Sequence, residues 1–404
     1  MPDPAPIPFH RPLLGAEEVA AVAEVLQSGW LTTGPAVARF ESEFRDYVRA
    51  RHALAVNSAT AALHLALAAL DIGPGAEVIT TPLTFCATVN AILHVCATPV
   101  LADIDDTLNL DPAHVEAALT PATRAILPVH FAGLPCDITR LGAIARRHRL
   151  AVVEDAAHAV GSFCAGAPVG AGASDAVAFS FYATKNMTTG EGGMVTTPSR
   201  ELDERMRILC LHGMDHHAWN RYSDKGTWAY DVVECGFKYN MSDIAAALGR
   251  VQLQRLESMT HRRRAIAAAY TEAFAASPEL QTPPQGVGHS WHLYVLRLNL
   301  DKLAIGRDEF IDQLKSRGIG CSVHFIPIPL LSYYSRALTL RDPCQRALSE
   351  YQRLVSLPLY ARMTDSEVGR VIETVQDVVS RCRKRRMTAG RAATGAAASA
   401  DACA

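Results

Sequence analysis

Between about residues 52 and 200, short apolar runs alternate with longer segments whose apolar positions recur at helical spacing. Such alternation is typical of βαβ units, in which helices cover a largely parallel sheet. The pattern therefore predicts an α/β fold. The predicted strands are Ala53–Val56, Glu77–Thr80, Thr98–Ala102, Ala125–Val129, Leu150–Val153 and Ala176–Phe181, and the predicted helices are Ala61–Leu70, Pro112–Leu119 and Ile138–His148.

A long helical segment opens the second half of the chain and leads into a smaller C-terminal α/β domain. The predicted elements there are the helices Ser242–Ala268, Arg307–Ser316 and Asp365–Val379 and the extended runs Trp291–Leu298 and Gly320–Ile326. The predicted division is a large domain at 1–264 with an N-terminal arm at 1–30, a small domain at 265–382, and a tail at 383–404. The tail joins a basic cluster to small residues that cannot pack a core, which predicts disorder.

Composition limits the classes of function. A chain of 404 residues suits two domains, and its formal net charge of −2 gives no reason to expect a nucleic-acid partner. No run of about eighteen apolar residues occurs, so no membrane span is expected. The ten cysteines are scattered without a Cys-x-x-Cys pair, and the N-terminus lacks the apolar stretch of a secretory signal. These features predict a cytoplasmic protein with reduced thiols and no metal site.

Lys185 is the first candidate for chemistry. It follows the apolar run Ala176–Phe181 and precedes a glycine-rich turn at Gly190–Gly193. Ligands of parallel sheets bind beyond the carboxyl ends of the strands. A poorly solvated lysine at such a place can lose its proton and attack a carbonyl group. The alternative is an ordinary solvated lysine.

Asp155 follows the apolar run Leu150–Val153 and occupies the same kind of position. A carboxylate there can keep a buried heteroaromatic nitrogen protonated through a charge-assisted hydrogen bond. The alternative is that Asp155 caps a helix that begins with the following residues.

Two further segments follow predicted strands. Asn57–Thr60 precedes a strongly helical run, so its free N–H groups and the helix dipole suit a phosphate group, although a plain Ser/Thr cap is the alternative. Phe85 could stack on a planar ring or lie in the core. Together, a phosphate seat, a stacking aromatic, a carboxylate and an amine are the groups that pyridoxal 5′-phosphate requires.

Many short motifs in a fixed order give the chain a specific resemblance. Over about residues 7–380 it resembles the pyridoxal-phosphate-dependent nucleotide-sugar aminotransferases of the DegT family. This resemblance implies a type I, aspartate aminotransferase-like fold with a mostly parallel central sheet. Its carriers are Ser28–Pro35, Asn57–Thr60, Gly73–Thr80, Pro128–Gly133, Glu154–His158, Ser180–Asn186, Gly190–Gly193, His212–Gly213, Phe237–Asp243 and Val323–Phe325.

The resemblance implies a role for each matching residue. Lys185 would attach the cofactor and move protons, Asp155 would pair with the ring nitrogen, and His158 would lie near the 3-hydroxyl group. Phe85 would stack on the ring. Asn240 would reach the phosphate from a second subunit, which implies a homodimer with shared active sites. Lys185 argues against the dehydratase branch, which has histidine there. The implied phosphate contacts are Ser58, Ala59, Thr60 and Ser180.

The resemblance also implies glutamate or glutamine as amino donor and a keto sugar as acceptor. The segments Gly29–Pro35, Phe237–Asn240, His289–Tyr294 and Val323–Phe325 look close to the branch that makes UDP-4-amino-4-deoxy-L-arabinose. That implies amination at C4 of a UDP-4-keto sugar. A dTDP- or GDP-4-keto-6-deoxyhexose and a C3 keto sugar remain alternatives. The candidate substrate contacts are Thr32, Tyr182, Arg221, Trp291 and His324.

Structural alternatives accompany three of these contacts. Trp291 could be a core residue, His324 a half-buried histidine and Arg221 a solvated surface arginine. Two other classes of protein also stay open on the sequence. One is a pyridoxal-phosphate-binding regulatory protein without turnover, which the Lys185–Asp155 pair disfavours. The other is a nicotinamide oxidoreductase, which would need a Gly-x-Gly-x-x-Gly after the first strand, and that motif is missing.

Overall fold

The computed structural model describes residues 5–172, 174–215, 229–286 and 288–384. The helices there are α1 (Ala16–Ser28), α2 (Pro35–Val48), α3 (Ala59–Ala69), α4 (Cys86–His94), α5 (Pro112–Ala117), α6 (Ile138–His148), α7 (Arg200–Cys210), α8 (Asp243–Phe274), α9 (Arg307–Ser316), α10 (Tyr334–Ala337), α11 (Gln345–Tyr351) and α12 (Asp365–Cys382). The strands are β1 (His52–Val56), β2 (Glu77–Thr80), β3 (Thr98–Leu101), β4 (Thr123–Leu127), β5 (Ala151–Asp155), β6 (Phe163–Cys164), β7 (Ala167–Pro168), β8 (Ala176–Ser180), β9 (Gly193–Thr197), β10 (Leu280–Gln281), β11 (Tyr294–Leu298) and β12 (Leu354–Leu357).

A seven-stranded sheet with the order β1-β9-β8-β5-β4-β2-β3 forms the centre of the large N-terminal part. The pairs from β8 through β5, β4 and β2 to β3 are all parallel. Only β9 runs the other way, since it pairs antiparallel with both β8 and β1. The predicted α/β fold with a mostly parallel sheet is confirmed, whereas β9 was not predicted.

Helices cover both faces of this sheet because its strands are apolar on both faces. In β8, Ala176 and Ala178 join a core with α3 and α7, while Val177 and Phe179 join a core on the other face with α2 and α8. Each β8 residue is buried. Such double burial is what a covered parallel sheet requires, and it explains why the strand reads as a continuous apolar run.

The helix ends carry the expected capping residues. The Asp137 side chain accepts a hydrogen bond from the Arg140 N–H at 3.0 Å and starts α6, and Ser242 caps α8 in the same way through the Ala245 N–H. Helix α8 is longer than the predicted segment and passes without a break through the predicted domain boundary after residue 264. The division at that residue therefore stays a prediction.

The C-terminal part has an antiparallel sheet of its own, with the order β10-β11-β12, whose core includes residues of α9 and α12. Ile7 of the N-terminal arm belongs to this core as well and pairs with Ile319. The predicted extended run Gly320–Ile326 forms no strand, because it pairs only through the Ser322–Ser356 bridge.

The first two residues of the predicted tail lie in the described part of the chain and contact the C-terminal part. Arg383 forms a bridge with Leu303 and an ion pair with Glu279 at 2.7 Å, and the Lys384 N–H donates to the Lys302 carbonyl at 2.9 Å. Residues 385–404 lie outside the described part of the chain. Within the described ranges, no helix has the length and apolarity needed to cross a membrane.

Candidate active site

The carboxyl ends of the parallel strands meet along one edge of the central sheet. β5 ends at Asp155, which lies opposite Ala178 in the neighbouring β8. After β8 the chain turns, and the Lys185 N–H donates to the Tyr182 carbonyl at 2.9 Å. The turn brings the Lys185 side chain to the same edge as Asp155, close enough for each charge to influence the other.

The Lys185 side chain is half-buried at this edge. Burial lowers the pKa of its ammonium group to about 8, and the attraction of the Asp155 carboxylate opposes this only in part. At neutral pH a larger fraction of this amine is therefore unprotonated than in a solvated lysine. The unprotonated amine is the form that attacks a carbonyl group.

The Asp155 carboxyl group is buried, with 5% of the residue exposed. One oxygen accepts a hydrogen bond from the Thr88 hydroxyl at 2.8 Å and the other accepts from the Ala157 N–H at 3.1 Å. Burial raises the pKa of Asp155, although both hydrogen bonds and the Lys185 charge oppose the shift. The element that follows β5 is the strand β6, so Asp155 does not cap a helix.

His158 lies in the turn that follows Asp155 and is also buried. Its Nδ1 accepts a hydrogen bond from the Ala132 N–H at 3.3 Å, and its ring packs against His292 and Phe325 with centroid distances of 4.3 and 5.7 Å. Burial, followed by the positive charge of Lys185, holds the pKa of His158 well below its usual value. His158 is therefore a neutral imidazole at the sheet edge.

The predicted phosphate seat lies at the start of α3. Ser58 caps this helix by accepting from the Ala61 N–H at 3.1 Å, which leaves the N–H groups of Ala59 and Thr60 without helical partners. A Cβ on Gly193 would come within 2.6 Å of the Ser58 backbone, so only glycine allows β9 to begin here. The Ser58 cap and a phosphate-binding helix start are therefore compatible with each other.

Strand register brings further predicted residues to this seat. Gly193 pairs with Ser180 on β8 and with Val56 on β1, and Val56 forms a bridge with Asn240. The Asn240 amide donates to the Thr33 hydroxyl at 2.6 Å within the same chain. Its predicted contact with the phosphate of a second subunit stays a prediction.

Phe85 precedes α4 and leaves 59% of its surface exposed, so it is not a core residue. Its ring centroid lies 6.0 Å from that of Phe325, which also packs on His158. One face of an aromatic side chain is therefore available near the sheet edge, as stacking on a planar ring requires.

The candidate substrate contacts differ in exposure. Thr32 is exposed, and its carbonyl accepts from the Asp243 N–H at 3.1 Å, while Tyr182 has 47% of its surface exposed beside the Lys185 turn. His324 is half-buried with its Nδ1 2.8 Å from the Ser356 hydroxyl, and burial lowers its pKa to about 4. Arg221 lies outside the described residues.

Trp291 occupies a core position. Only 7% of it is exposed, and its ring stacks on His289 at 4.0 Å and on Tyr294 at 6.0 Å within the C-terminal core. Both rings pack on Trp291, as the packing alternative expects, and its predicted contact with the sugar stays a prediction.

Three residues of the site were not predicted. Thr88 holds Asp155, and Asn186 and His292 form a hydrogen bond 3.0 Å long beside His158. Asn186 belongs to the motif Ser180–Asn186, and His292 lies within the apolar run Trp291–Leu298. A polar residue inside an apolar segment is only a weak indication of a site residue. Its role becomes visible through the hydrogen bond between His292 and Asn186.

Comparison with known proteins identifies the family. Residues 12–376 match the model of the DegT/DnrJ/EryC1/StrS aminotransferase family. The chain belongs to this family. The spore coat polysaccharide biosynthesis protein SpsC of Bacillus subtilis is 51% identical over 378 residues, which cover 92% of this chain and 97% of SpsC.

Solved structures of this aminotransferase family agree with the assignment. The sugar aminotransferase Spr1654 of Streptococcus pneumoniae in its PLP form is 35% identical, with a TM-score of 0.87 over 93% of this chain and 99% of that one. PseC of Helicobacter pylori, an aminotransferase of pseudoaminic acid biosynthesis, is 30% identical, with a TM-score of 0.86 over 93% and 100% of the two chains. The DegT-family chain described here is thus a pyridoxal-phosphate-dependent sugar aminotransferase with a type I fold.

The residues at the sheet edge fit this cofactor. The start of α3 offers unpartnered N–H groups to a phosphate, and Phe85 offers an exposed aromatic face. Asp155 is a buried carboxylate that can hold a proton on a ring nitrogen, and Lys185 is an amine of lowered pKa. When bound, pyridoxal phosphate supplies the carbonyl group and the electron-withdrawing ring that amino transfer needs.

Proposed function

We propose that this aminotransferase moves an amino group from glutamate or glutamine to the C4 keto group of a nucleotide-linked sugar, with a UDP-4-keto sugar as the first candidate. The observation that carries the proposal is the sheet edge where the half-buried Lys185 lies close enough to the buried Asp155 for their charges to interact. The names of two relatives, which refer to the biosynthesis of a spore coat polysaccharide and of pseudoaminic acid, support an acceptor of the sugar class.

The protein's own groups divide the work. Lys185 takes the proton from the donor carbon and later returns one to the acceptor carbon, since its pKa of about 8 lies near neutral pH. Asp155 keeps a proton on the ring nitrogen, and Thr88 orients its carboxylate. The Nε2–H of His158 donates to the oxygen of the 3-hydroxyl group. The N–H groups at the start of α3 hold the phosphate.

The residues on the substrate side fit every candidate acceptor equally well. Tyr182 and Thr32 are exposed and free to contact a sugar or its nucleotide, and His324 presents a neutral imidazole. These residue types bind hydroxyl groups of any keto sugar, so they agree equally with UDP-, dTDP- and GDP-linked acceptors and with amination at C3.

One experiment decides the donor and the acceptor in turn. Purified protein loaded with the cofactor is mixed with glutamate or glutamine alone, and the absorption spectrum should change to that of the aminated cofactor. A panel of UDP-, dTDP- and GDP-linked 4-keto and 3-keto sugars is then added, and products are identified by mass. A product only from a dTDP or GDP sugar, or only from a 3-keto sugar, would replace the UDP-4-keto proposal.

A homodimer with shared sites is part of the proposal. The side chains of Trp30, Leu31, Val232 and Val233 are exposed although they are large and apolar, and a second subunit could cover them. Coexpression of Asn240→Ala and Lys185→Ala chains tests the sharing. Mixed dimers with shared sites contain one intact site and regain activity, whereas unshared sites leave both halves defective.

We also propose that the enzyme acts in the cytoplasm. All nine cysteines in the described part of the chain are free thiols, several of them buried. Free thiols persist in a reducing compartment. Fractionation of cells that express the full chain tests this proposal. The protein should be recovered in the cytoplasmic fraction, and recovery in another fraction would contradict the proposal.

A further inference from the structure

Hydrogen bonds fix the position of the proton on His158. Its Nδ1 accepts the Ala132 N–H at 3.3 Å, so this nitrogen holds a lone pair and the proton of the neutral ring lies on Nε2. A second proton would place an N–H group against the Ala132 N–H. Among the described residues, no group forms a hydrogen bond with Nε2, which leaves this donor for a bound molecule.

A second histidine supports this arrangement. The Asn186 amide nitrogen donates to the Val160 and Ser290 carbonyls at 3.3 and 3.2 Å, which fixes the orientation of the amide. The Asn186 oxygen therefore faces His292 and accepts its Nδ1–H at 3.0 Å. The His292 ring is held 4.3 Å from that of His158, with an angle of 35° between the planes.

The same segment also holds the His158 backbone. The Ser290 hydroxyl donates to the His158 carbonyl at 3.0 Å, and the Leu293 N–H donates to the Ala132 carbonyl at 3.2 Å. Ser290 and His292 thus flank His158 from the C-terminal part of the chain, while Asn186 belongs to the lysine turn. Three segments that are distant in sequence meet at one imidazole.

We propose that Asn186 and His292 are positioning residues that hold His158 as a neutral ring with its proton on Nε2. The inference rests on the proposed function, in which this N–H donates to the cofactor's 3-hydroxyl oxygen. A neutral donor stabilises negative charge on that oxygen without adding a positive charge beside Lys185. Small errors in the placement of such a donor reduce its effect strongly.

The electrostatic surroundings agree with this geometry. The titratable groups that act on His158 are Lys185, His324 and His130, and those that act on His292 are His158, Lys185, Arg263 and His324. Burial lowers the pKa of both histidines, and each of these groups lowers it further when it carries a positive charge. Loss of the Asn186 contact frees His292 to move and admits water, which raises the pKa of His158.

The test reads the proton directly. The full-length protein, labelled with ¹⁵N-histidine and free of cofactor, is titrated by NMR, and the His158 signals are assigned from their loss in His158→Gln. In the wild type, His158 should keep the Nε2–H tautomer to a pH well below that at which an ordinary histidine is protonated. In Asn186→Ala, both tautomers should appear and protonation should begin about one pH unit higher or more.

Kinetics of the loaded enzyme separate positioning from binding. For Asn186→Ala we expect kcat to fall on the order of 10-fold with KM for the donor little changed. His292→Phe keeps a ring against His158 but lacks the Nδ1–H, so it should give a smaller change in the same direction and serves if Asn186→Ala does not fold. Asn299→Ala is the control, because its exposed amide bonds only the Pro278 carbonyl and lies outside the site.

An unchanged His158 tautomer and titration in both variants would overturn the proposal, even if the variants were less stable. A wild type that shows the Nε2–H tautomer but transfers no amino group would instead contradict the proposed function and leave the positioning intact. The two failures are thus distinguishable in the same samples.

Discussion

The cofactor side and the substrate side of the candidate site are built in opposite ways. On the cofactor side, Asp155 and His158 are buried, and both Asp155 oxygens and the His158 Nδ1 have fixed partners such as Thr88 and Ala132. On the substrate side, Tyr182 and Thr32 are exposed, and neither side chain forms a hydrogen bond within the described chain. The residues proposed for the chemistry are therefore fixed at the edge of the sheet, whereas these two proposed sugar contacts are exposed side chains without hydrogen-bond partners in the described chain.

Lys185→Ala should have the largest effect, since it removes the amine whose charge acts on Asp155 at the sheet edge. Turnover should fall on the order of 10³-fold or more, because both the covalent attachment and the proton transfer are lost. Borohydride treatment of the loaded wild type should add the mass of the reduced cofactor to the peptide that contains Lys185. The variant should gain no such mass.

Lys315→Ala is the matched control, because Lys315 is exposed on α9. It should retain the adduct and full activity. Turnover of Lys185→Ala within 10-fold of the wild type would mean that the buried side does not define the reaction.

Trp291→Ala tests whether this tryptophan belongs to the core or to the substrate side. Removal of a buried aromatic side chain should lower the free energy of unfolding by about 3–5 kcal/mol. Phe85→Ala is the comparison, since its exposed ring should change stability by less than about 0.5 kcal/mol while weakening binding of the cofactor. Denaturant unfolding of the cofactor-free proteins measures both.

An unchanged stability of Trp291→Ala would contradict the core position of Trp291. If Trp291→Ala leaves stability unchanged and raises only KM for the sugar, Trp291 contacts the substrate and its stacking on His289 and Tyr294 is incidental. The substrate side would then extend into the C-terminal core.

Asp155→Asn keeps the shape of the side chain and removes its charge. The loss of a charge-assisted hydrogen bond is worth about 1.5–3 kcal/mol, so kcat should fall roughly 10- to 150-fold while the cofactor stays attached to Lys185. Steady-state rates with a fixed donor measure the fall. Asp137→Asn is the control, because it caps α6 and asparagine caps helices equally well.

A fall of less than about 3-fold for Asp155→Asn would contradict the role of the carboxylate. In that case the buried Asp155 charge would have a structural role only. The cofactor side would then no longer differ from the substrate side in having catalytic groups fixed by burial.

Sequence predicted the fold best where an apolar run, a helical spacing of apolar positions or a capping residue marks the element. The bounds of β2, α6 and α9 agree with the predicted ones, because apolar runs and capping residues such as Asp137 mark them. β9 was missed, since Gly193–Thr197 has glycine and two threonines and directly follows a glycine-rich turn. The run Gly320–Ile326 has the composition of a strand, but it pairs with a neighbouring strand only at Ser322.

The same contrast explains what could be predicted of the site. Lys185 and Asp155 follow strands, so a rule about strand ends finds them. Thr88 and His292 act through contacts across 67 and 106 residues of sequence, which no local pattern records. The position of Trp291 was ambiguous, because a large aromatic residue suits a core and a pocket equally.

Thr88→Val should have the smallest effect and gives the sharpest test of the buried side. The Thr84 hydroxyl lies 2.7 Å from that of Thr88, which in turn donates to Asp155, so valine breaks a buried chain of hydrogen bonds without changing the shape of the side chain. The loss of one such bond is worth about 0.5–1.5 kcal/mol, which corresponds to a roughly 2- to 12-fold lower kcat.

The sign of the pH effect follows from the charge that Thr88 stabilises. A donor to a carboxylate lowers its pKa, so Thr88→Val should raise the pKa of Asp155 above a value that burial has already raised. Less of the carboxylate is then ionised as the pH falls, and the acid limb of the kcat profile should move to higher pH. Thr374→Val is the control, since its hydroxyl bonds only the Arg370 carbonyl within α12. A shift to lower pH, or a profile unchanged while Asp155→Asn is strongly impaired, would show that Thr88 does not tune this carboxylate.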